Sequence, residues 1–477
     1  MKYIKKSIKI FFCLLSLIVF TIIIFLALDA KNTSYLKIKK DSKLNINTYL
    51  IKNINVVPMH KDTVLANKTI FVHNGIIKNI ESKIIIDDIE IIDGKNQFIS
   101  PGLIDMHTHL WDKQELGLYL ANGVTTIRNL WGYSMHLRLK DKLQKNKIIG
   151  PMLFTSSPKL TSKDDFGDDK VQIETKEEAK KLVIDYKQRG FDFIKIYAGI
   201  NEDIYKTIIN QSKKSGISII AHPSREIPYL DQFNSQVASL EHTEEIVQQA
   251  LNYEIDSLKL PPIIQKFVDS KKSFCPTITG FYKIYEMLDK GEEVINNGAI
   301  NYMNPLIKTV DSKVQYNRWA NEKTNNSSIT ETIYKQHLFH LYILKKMNEK
   351  GVNIISGTDS GIGITVPGAS IHQELSFYKE AGLSNYDALK TATINPTKTH
   401  KEFEQMGSIQ KGKFANFIVT KKNPLVNLNE LKKPEWIMVN GRKVDKTTLN
   451  KYSQNAKNRN NLVVTALRYL EYLLVER

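Results

Sequence analysis

The sequence predicts an α/β protein: a (β/α)8 TIM barrel with a small β-sandwich domain built from both flanks, and an N-terminal transmembrane or signal segment ahead of them. Three observations carry that prediction. Eight short apolar runs alternate with amphipathic ones through the middle of the chain, the pattern of parallel strands joined by helical crossovers. β-rich stretches with hairpin turns lie on either side of that middle. The N-terminus passes from basic to wholly apolar.

Segment 1–30 reads as an address. Lys2, Lys5, Lys6 and Lys9 precede a run from Ile10 to Leu28 without a charge. That order leaves the N-terminus in the cytoplasm and sends the rest outward. The run exceeds the ~7–15 residues of a signal-peptide core and is about long enough to span a bilayer. No small-x-small cleavage site follows, so an uncleaved anchor is favoured over a removed signal peptide. The expected location is membrane-anchored with the body outside the cytoplasm, or periplasmic or secreted if the segment is cleaved.

Residues 46–100 contain INTYLIKNINVVPM, KTIFVHNGIIKNI and IIIDDIEIIDGKNQFIS, with Asn74-Gly75 as a hairpin turn. Residues 401–446 bring a matching set, SIQKGKFANFIVTKKNPLVNL and EWIMVNGRKV, with a second turn at Asn440-Gly441. One sandwich made from both ends follows, with a barrel of residues 101–400 inserted in it. In residues 447–477, NKYSQNAKNRNN reads as a polar linker. LVVTALRYLEYLLVER after it is an amphipathic helix expected to pack through Ala466, Leu467, Leu470 and Leu474.

Composition bounds the function. At 477 residues, 42% hydrophobic and 25% charged, the chain is globular and large enough for more than one domain. The net charge of +17 comes from dispersed lysines with no Arg-rich stripe interleaved with aromatics, which argues against a nucleic-acid partner. Only Cys13 and Cys275 are present, so any metal must be held by histidine and carboxylate.

The candidate barrel strands are LIDMHTH, GVTTIRNL, MLFTSS, FDFIKIYA, ISIIAH, ASLEHT, SFCPTIT and NIISGTDS. Barrel strands point their C-terminal ends at one site. His107 and His109, one residue apart and therefore on one face of an extended chain, end the first; His222, His242 and Asp359 end three others. His136, His337, His340 and His372 lack the pattern and read as surface or core-edge histidines. Lys195 shares a strand face with Phe193 and Tyr197, where burial lowers a lysine's pKa. A neutral amine can take up carbon dioxide and become an anionic oxygen ligand. The alternative is a lysine paired with a buried acid.

PGLIDMHTHL, SLEHTEE and SGTDSG resemble the HxH, sixth-strand His and eighth-strand Asp motifs of the amidohydrolase superfamily. The resemblance extends to GVTTIRNL, CPTIT, the VPG, HQEL and EAGLSNYDALKTATINPTK stretch and the closing GSIQKGKFANFIV, covering residues from about 50 to 445. The nearest subgroup is the imidazolonepropionase-related, often exported enzymes that include Xaa-Pro dipeptidases. The resemblance implies two divalent metal ions, zinc favoured, bridged by a carboxylated Lys195 and a hydroxide. His107, His109 and Asp359 would hold one ion, His222 and His242 the other, and Asp359 would also be the catalytic proton carrier.

The implied reaction is cleavage of an amide C–N bond in small peptides or cyclic amides. The alternatives are a mononuclear deaminase-type hydrolase and an inactive binding or assembly relative. Tyr197, Arg225 and Arg128 are candidates for substrate binding. Ser224, in AHPSRE, departs from the dipeptidase-like pattern, in which many relatives have His or Tyr. The partners expected are a small-molecule or small-peptide substrate, the membrane through the N-terminal segment, and a second copy if the chain is a homo-oligomer. The segment from about 280 to 350 should be a helical excursion over the barrel mouth.

Overall fold

The computed structural model describes residues 2–39, 46–163, 165, 167–296 and 298–477. A helix over Lys2–Asn32 comes first, apolar and exposed, with a mean hydropathy of 3.1 over its most apolar 18 residues, long enough to cross a membrane. Its C-terminal end is tied to the body: Asp29 pairs with Arg468, Thr33 accepts from Lys113, and Leu36 is fully buried.

The first flank contributes β1 (Tyr49–Val56), β2 (Leu65–His73), β3 (Ile76–Glu81), β4 (Ile91–Asp93) and β5 (Phe98–Pro101). The barrel follows with β6 (Leu103–Thr108), β7 (Val124–Asn129), β8 (Met152–Ser162), β9 (Lys170–Ile173), β10 (Phe193–Ile196), β11 (Ser218–Ala221), β12 (Val237–Glu241) and β13 (Ser273–Cys275). The second flank adds β14 (Phe417–Thr420), β15 (Trp436–Val439) and β16 (Arg442–Asp445). The two flanks form one eight-stranded sheet in the order β16-β15-β14-β5-β1-β2-β3, with β4 beside β1; the junction is β14 running antiparallel to β5. Tyr49, Ile51, Val72, Ile99, Phe417 and Trp436 meet in its apolar core.

Both hairpin turns form as the sequence predicts. Asn74 and Gly75, and likewise Asn440 and Gly441, have positive φ (+50° and +75°, +47° and +72°), the backbone of a two-residue hairpin turn. The two turns also touch: a Cβ on Gly441 would lie 2.5 Å from the Gly75 Cα, so neither glycine can carry a side chain.

The barrel strands run parallel in the order β6-β7-β8-β10-β11-β12-β13. The stretch NIISGTDS nearly closes the ring through single parallel bridges, Ile354 to Phe274 on one side and Ser360 to Thr108 on the other. Gly357 and Gly361 permit that approach, because a Cβ on Gly357 would lie 2.7 Å from the His107 Cβ and one on Gly361 would strike the His109 carbonyl. Crossover helices carry ordinary signals. Thr175 caps Lys176–Arg189 and Asn201 caps Glu202–Ser215, and left-handed Gly190 and Gly216 stop them.

The excursion after β13 is helical, with helices at Ile278–Lys290, Lys313–Asn325 and Ile329–Glu349. Three expectations need correction. The presumed polar linker is largely a helix, Lys446–Lys457, burying Leu449, Tyr452 and Ala456. In the last helix, Leu462–Glu476, Val464, Thr465 and Tyr472 pack inward while Leu470 and Leu474 are exposed; Tyr472 stacks into a cluster with Trp131 and Tyr133 that aliphatic side chains could not replace. His136, His337, His340 and His372 are buried rather than at the surface, His136 bonding the Leu110 carbonyl at 2.7 Å and His337 packing among Tyr282 and Phe377.

Candidate metal centre

Strand ends bring five of the six predicted ligands into one cluster. His107 Nε2 and His109 Nε2 converge on the same oxygen, Asp359 Oδ1, at 3.2 and 2.8 Å. The donor atoms of these three lie within 4.8 Å of one another. The His242 ring is 4.7 Å from His107 and 4.4 Å from His222, centroid to centroid. Burial, with the neighbouring rings of His222 and His107, holds His242 well below its ordinary pKa. Burial likewise holds His109 down, to about 4. Both groups are kept in the neutral form that ligates.

Two of these residues sit in left-handed backbone, His242 at φ +73° and Asp359 at φ +56°. That region costs a non-glycine residue about 1–3 kcal/mol and persists where surrounding contacts enforce it. The enforcing contacts are visible. Asp359 N bonds the His107 carbonyl at 2.9 Å, and His242 N bonds the Cys275 carbonyl at 2.8 Å.

Lys195, the sixth predicted ligand, is 1% exposed and its Nζ has no hydrogen-bond partner among the described residues. Burial pushes its amine down to about 8, although Glu241 and Asp359 are close enough to pull the other way. Buried amines are ordinarily bonded, so this one asks for chemistry that the bare side chain lacks. His109 Nδ1 and His222 Nδ1 are also buried and, among the described residues, unpartnered. His222 Nε2 meets Glu245 Oε1 at 2.9 Å.

The residues suggested for substrate contact separate. Arg128 is fully buried and committed: it donates to the Met106 carbonyl at 2.6 Å, Ser239 at 3.0 Å and Glu241 at 2.8 Å, and faces His400 Nε2 at 3.0 Å. It builds the barrel interior instead of reaching a substrate. Arg225 is exposed at the mouth, 3.8 Å from Glu245, and borders a cavity of about 260 Å³ with Ser162, Asp165 and Asn201. Tyr197 stacks at 4.5 Å on the His222 ring. Ser224 is buried, donating to the Ile200 carbonyl at 2.5 Å, and so takes a structural part.

Sequence reasoning missed three participants. Glu241 lies between Arg128 and His107, accepting at 2.8 Å from each; burial would raise its pKa, but those two partners hold it well below the ordinary value. It binds His107 Nδ1 and thereby turns Nε2 toward Asp359, as an outer carboxylate does for a metal-ligating histidine. Asp105, raised to about 7 by burial, takes the Thr358 hydroxyl at 2.7 Å and the Thr358 amide at 3.1 Å, which fixes the strand carrying Asp359.

Lys159 is the third. It registers beside Lys195 across β8 and β10, its Nζ bonds Asp169 at 2.6 Å, and it lies 5.2 Å from the Tyr197 ring centre. The extended form of SSPKLTS is the available signal, obscured by Pro158. The ladder slips by one residue there, between the pairs Phe193 with Ser156 and Lys195 with Lys159, so the proline sits in a bulge.

Comparison with known proteins gives consistent findings. Residues 304–444 match the family model described as "Amidohydrolase family". A dihydroorotase of Carboxydothermus hydrogenoformans is 44% identical over 63 residues, a match that spans 13% of this chain and only 14% of that relative. Among solved structures, a Xaa-Pro dipeptidase with bound methionine superposes with a TM-score of 0.64 at 19% identity, covering 83% of this chain and 100% of the other. A bottromycin amidohydrolase superposes at 0.70 and 17% identity, covering 91% and 97%. At these identities the structural likeness establishes the shared fold.

Proposed function

Starting from a chain that carries an amidohydrolase family domain over residues 304–444, we propose that it is a metal-dependent hydrolase of C–N bonds acting on small peptides or cyclic amides. One observation carries the reading: a buried amine without a partner, Lys195, stands within electrostatic reach of Asp359, on which two histidines converge. His107, His109 and Asp359 would hold one divalent ion. His222 and His242 would hold a second, with a carboxylated Lys195 between them. Imidazole-rich donors favour zinc. When bound, such ions polarise a carbonyl and acidify water.

The chain's own residues account for the rest. Asp359, held well below its ordinary pKa by His107 and His109 in spite of burial, is ionised at neutral pH. Its carboxylate accepts the proton of the attacking water and returns it to the departing amine nitrogen. Glu241 keeps His107 in one tautomer and orientation. Tyr197, on the His222 ring, and Arg225, at the rim, are the residues we assign to substrate oxygens. A one-ion deaminase would leave Lys195 without a task.

The chain is also read as exported and anchored by its first helix. The burial of Thr33 and Leu36 and the Asp29–Arg468 pair support retention of that segment, since they tie its end to the body. The test is elemental analysis of the purified protein together with a screen against a dipeptide library, lactones, cyclic amides and organophosphates. About two ions per chain and turnover of C–N bonds are expected. Stray metal only, or turnover of none of these substrates, rejects the reading.

A further inference from the structure

Where the N-terminal helix meets the body there is a cleft of about 540 Å³ with a wall of two characters. Ile22, Leu26 and Ala30 of the N-terminal helix and Leu467 of the last helix make one side apolar. Lys113, Arg138, Lys142 and Arg468 bring four positive charges to the other, against two negative ones, Asp29 and Glu471. Those two acids are already taken. Arg138 holds Glu471 through two 2.6 Å bonds, and Arg468 holds Asp29 at 2.5 Å.

Two positive charges are therefore left over. Lys113 donates to the Thr33 hydroxyl at 3.0 Å and, among the described residues, pairs with no carboxylate. Burial pushes it down to about 8, with Lys142 adding to the shift and Asp29 opposing it. Arg468 Nη1 is buried with no hydrogen-bond partner among the described residues. A buried guanidinium N–H left unbonded is expensive, so the cleft calls for an acceptor that the protein does not supply.

The depth of the cleft fits a lipid. The charge-free run from Ile10 to Leu28 rises ~1.5 Å per residue and so matches a hydrocarbon core of ~30 Å. Leu26 and Ala30 then lie where acyl chains give way to phosphates. Leu26 is 46% exposed, and Ile23 beside it 56%.

We propose that this cleft binds one anionic phospholipid, its phosphate held by Arg468, Lys113 and Lys142 and an acyl chain lying along Ile22 and Leu26. The proposal rests on the membrane-anchored reading and is independent of the hydrolytic one. The net positive charge selects an anionic lipid over a zwitterionic one.

The full-length chain is extracted from membranes and its intact mass measured. It is then placed in nanodiscs of phosphatidylcholine alone or phosphatidylcholine with phosphatidylglycerol. An intact helix, one phosphatidylglycerol retained per chain through detergent exchange and a higher thermal midpoint in the mixed discs are expected. The double substitution Lys113→Gln, Lys142→Gln should weaken retention roughly thirtyfold. Its midpoint in pure phosphatidylcholine should stay at the wild-type value, which shows that it folds. If that variant does not fold, the comparison of the two disc compositions with the wild-type chain still decides.

A chain that has lost the helix overturns the anchor reading and the lipid site together. An intact helix with equal retention of both lipids, or undiminished retention by the double variant, overturns the lipid site alone. So does inorganic phosphate raising the midpoint in pure phosphatidylcholine as far as phosphatidylglycerol does, since that makes the cleft a plain anion site.

Discussion

Replacing Lys195 with methionine should make the metal-free protein more stable while abolishing its function. The lysine amine falls from an ordinary 10.5 to about 8 because burial disfavours its charged form. Between pH 8 and 10.5 the unfolded chain binds the extra proton and the folded chain does not, so stability rises with pH across that window. Below pH 8 the penalty is present in full, and the shift corresponds to about 3 kcal/mol at neutral pH. Methionine is close to lysine in length and carries no charge. Glu241 is not orphaned by the change, because Arg128 and His107 both hold it.

The assay is denaturant unfolding of the wild-type protein and Lys195→Met, stripped of metal and carbon dioxide, at pH 7 and again at pH 10.5. The variant should gain about 3 kcal/mol at the lower pH and almost nothing at the higher. The same variant should take up little metal, whereas wild-type protein supplied with carbon-13 bicarbonate and zinc should show a carbamate resonance. Loss of stability at pH 7, or a gain that persists unchanged at pH 10.5, would refute the argument that burial destabilises the protonated Lys195 amine.

Three other outcomes can be checked. Arg128→Met should destabilise by about 3–5 kcal/mol, because it leaves Glu241 buried with one charged partner removed, and the double variant Arg128→Met, Glu241→Met should recover part of that loss in the same thermal melts. Lys159→Met should lower kcat/KM at least about tenfold for substrates with a free carboxylate and leave their carboxamides within about threefold, since the ammonium bonds Asp169 and stands against Tyr197 with donors to spare; equal loss for both would make Lys159 structural. Prolonged dialysis against a chelator should abolish hydrolysis, with zinc or cobalt restoring it and magnesium failing to, as measured by turnover after back-titration.

Much of the barrel and its centre is legible because parallel strands buried on both faces read as short apolar runs, and the residues that end them stand out by being polar. His107, His109, His222, His242 and Asp359 are recognised that way. What escapes recognition escapes for local reasons. Glu241 stands directly before His242, which draws the eye, and its inward partner Arg128 lies 113 positions away in sequence, so nothing nearby marks the pair. Pro158 signals the end of a strand when it marks a bulge within one, and Lys159 is lost with it. In Lys446–Lys457, asparagine, glutamine and lysine mask a stripe of Leu449, Tyr452 and Ala456 at helical spacing. The last helix misleads about its inward face because its leucines outnumber the aromatic residues that anchor it.

The pairing of β14 with β5 means that the sheet joining the flanks cannot be finished until the barrel between them has been made. β5 waits for β14 with the whole barrel emerging between them. A polypeptide made from its N-terminus onward holds that strand's amide edge open while the barrel is made, exposed to whatever extended peptide it meets.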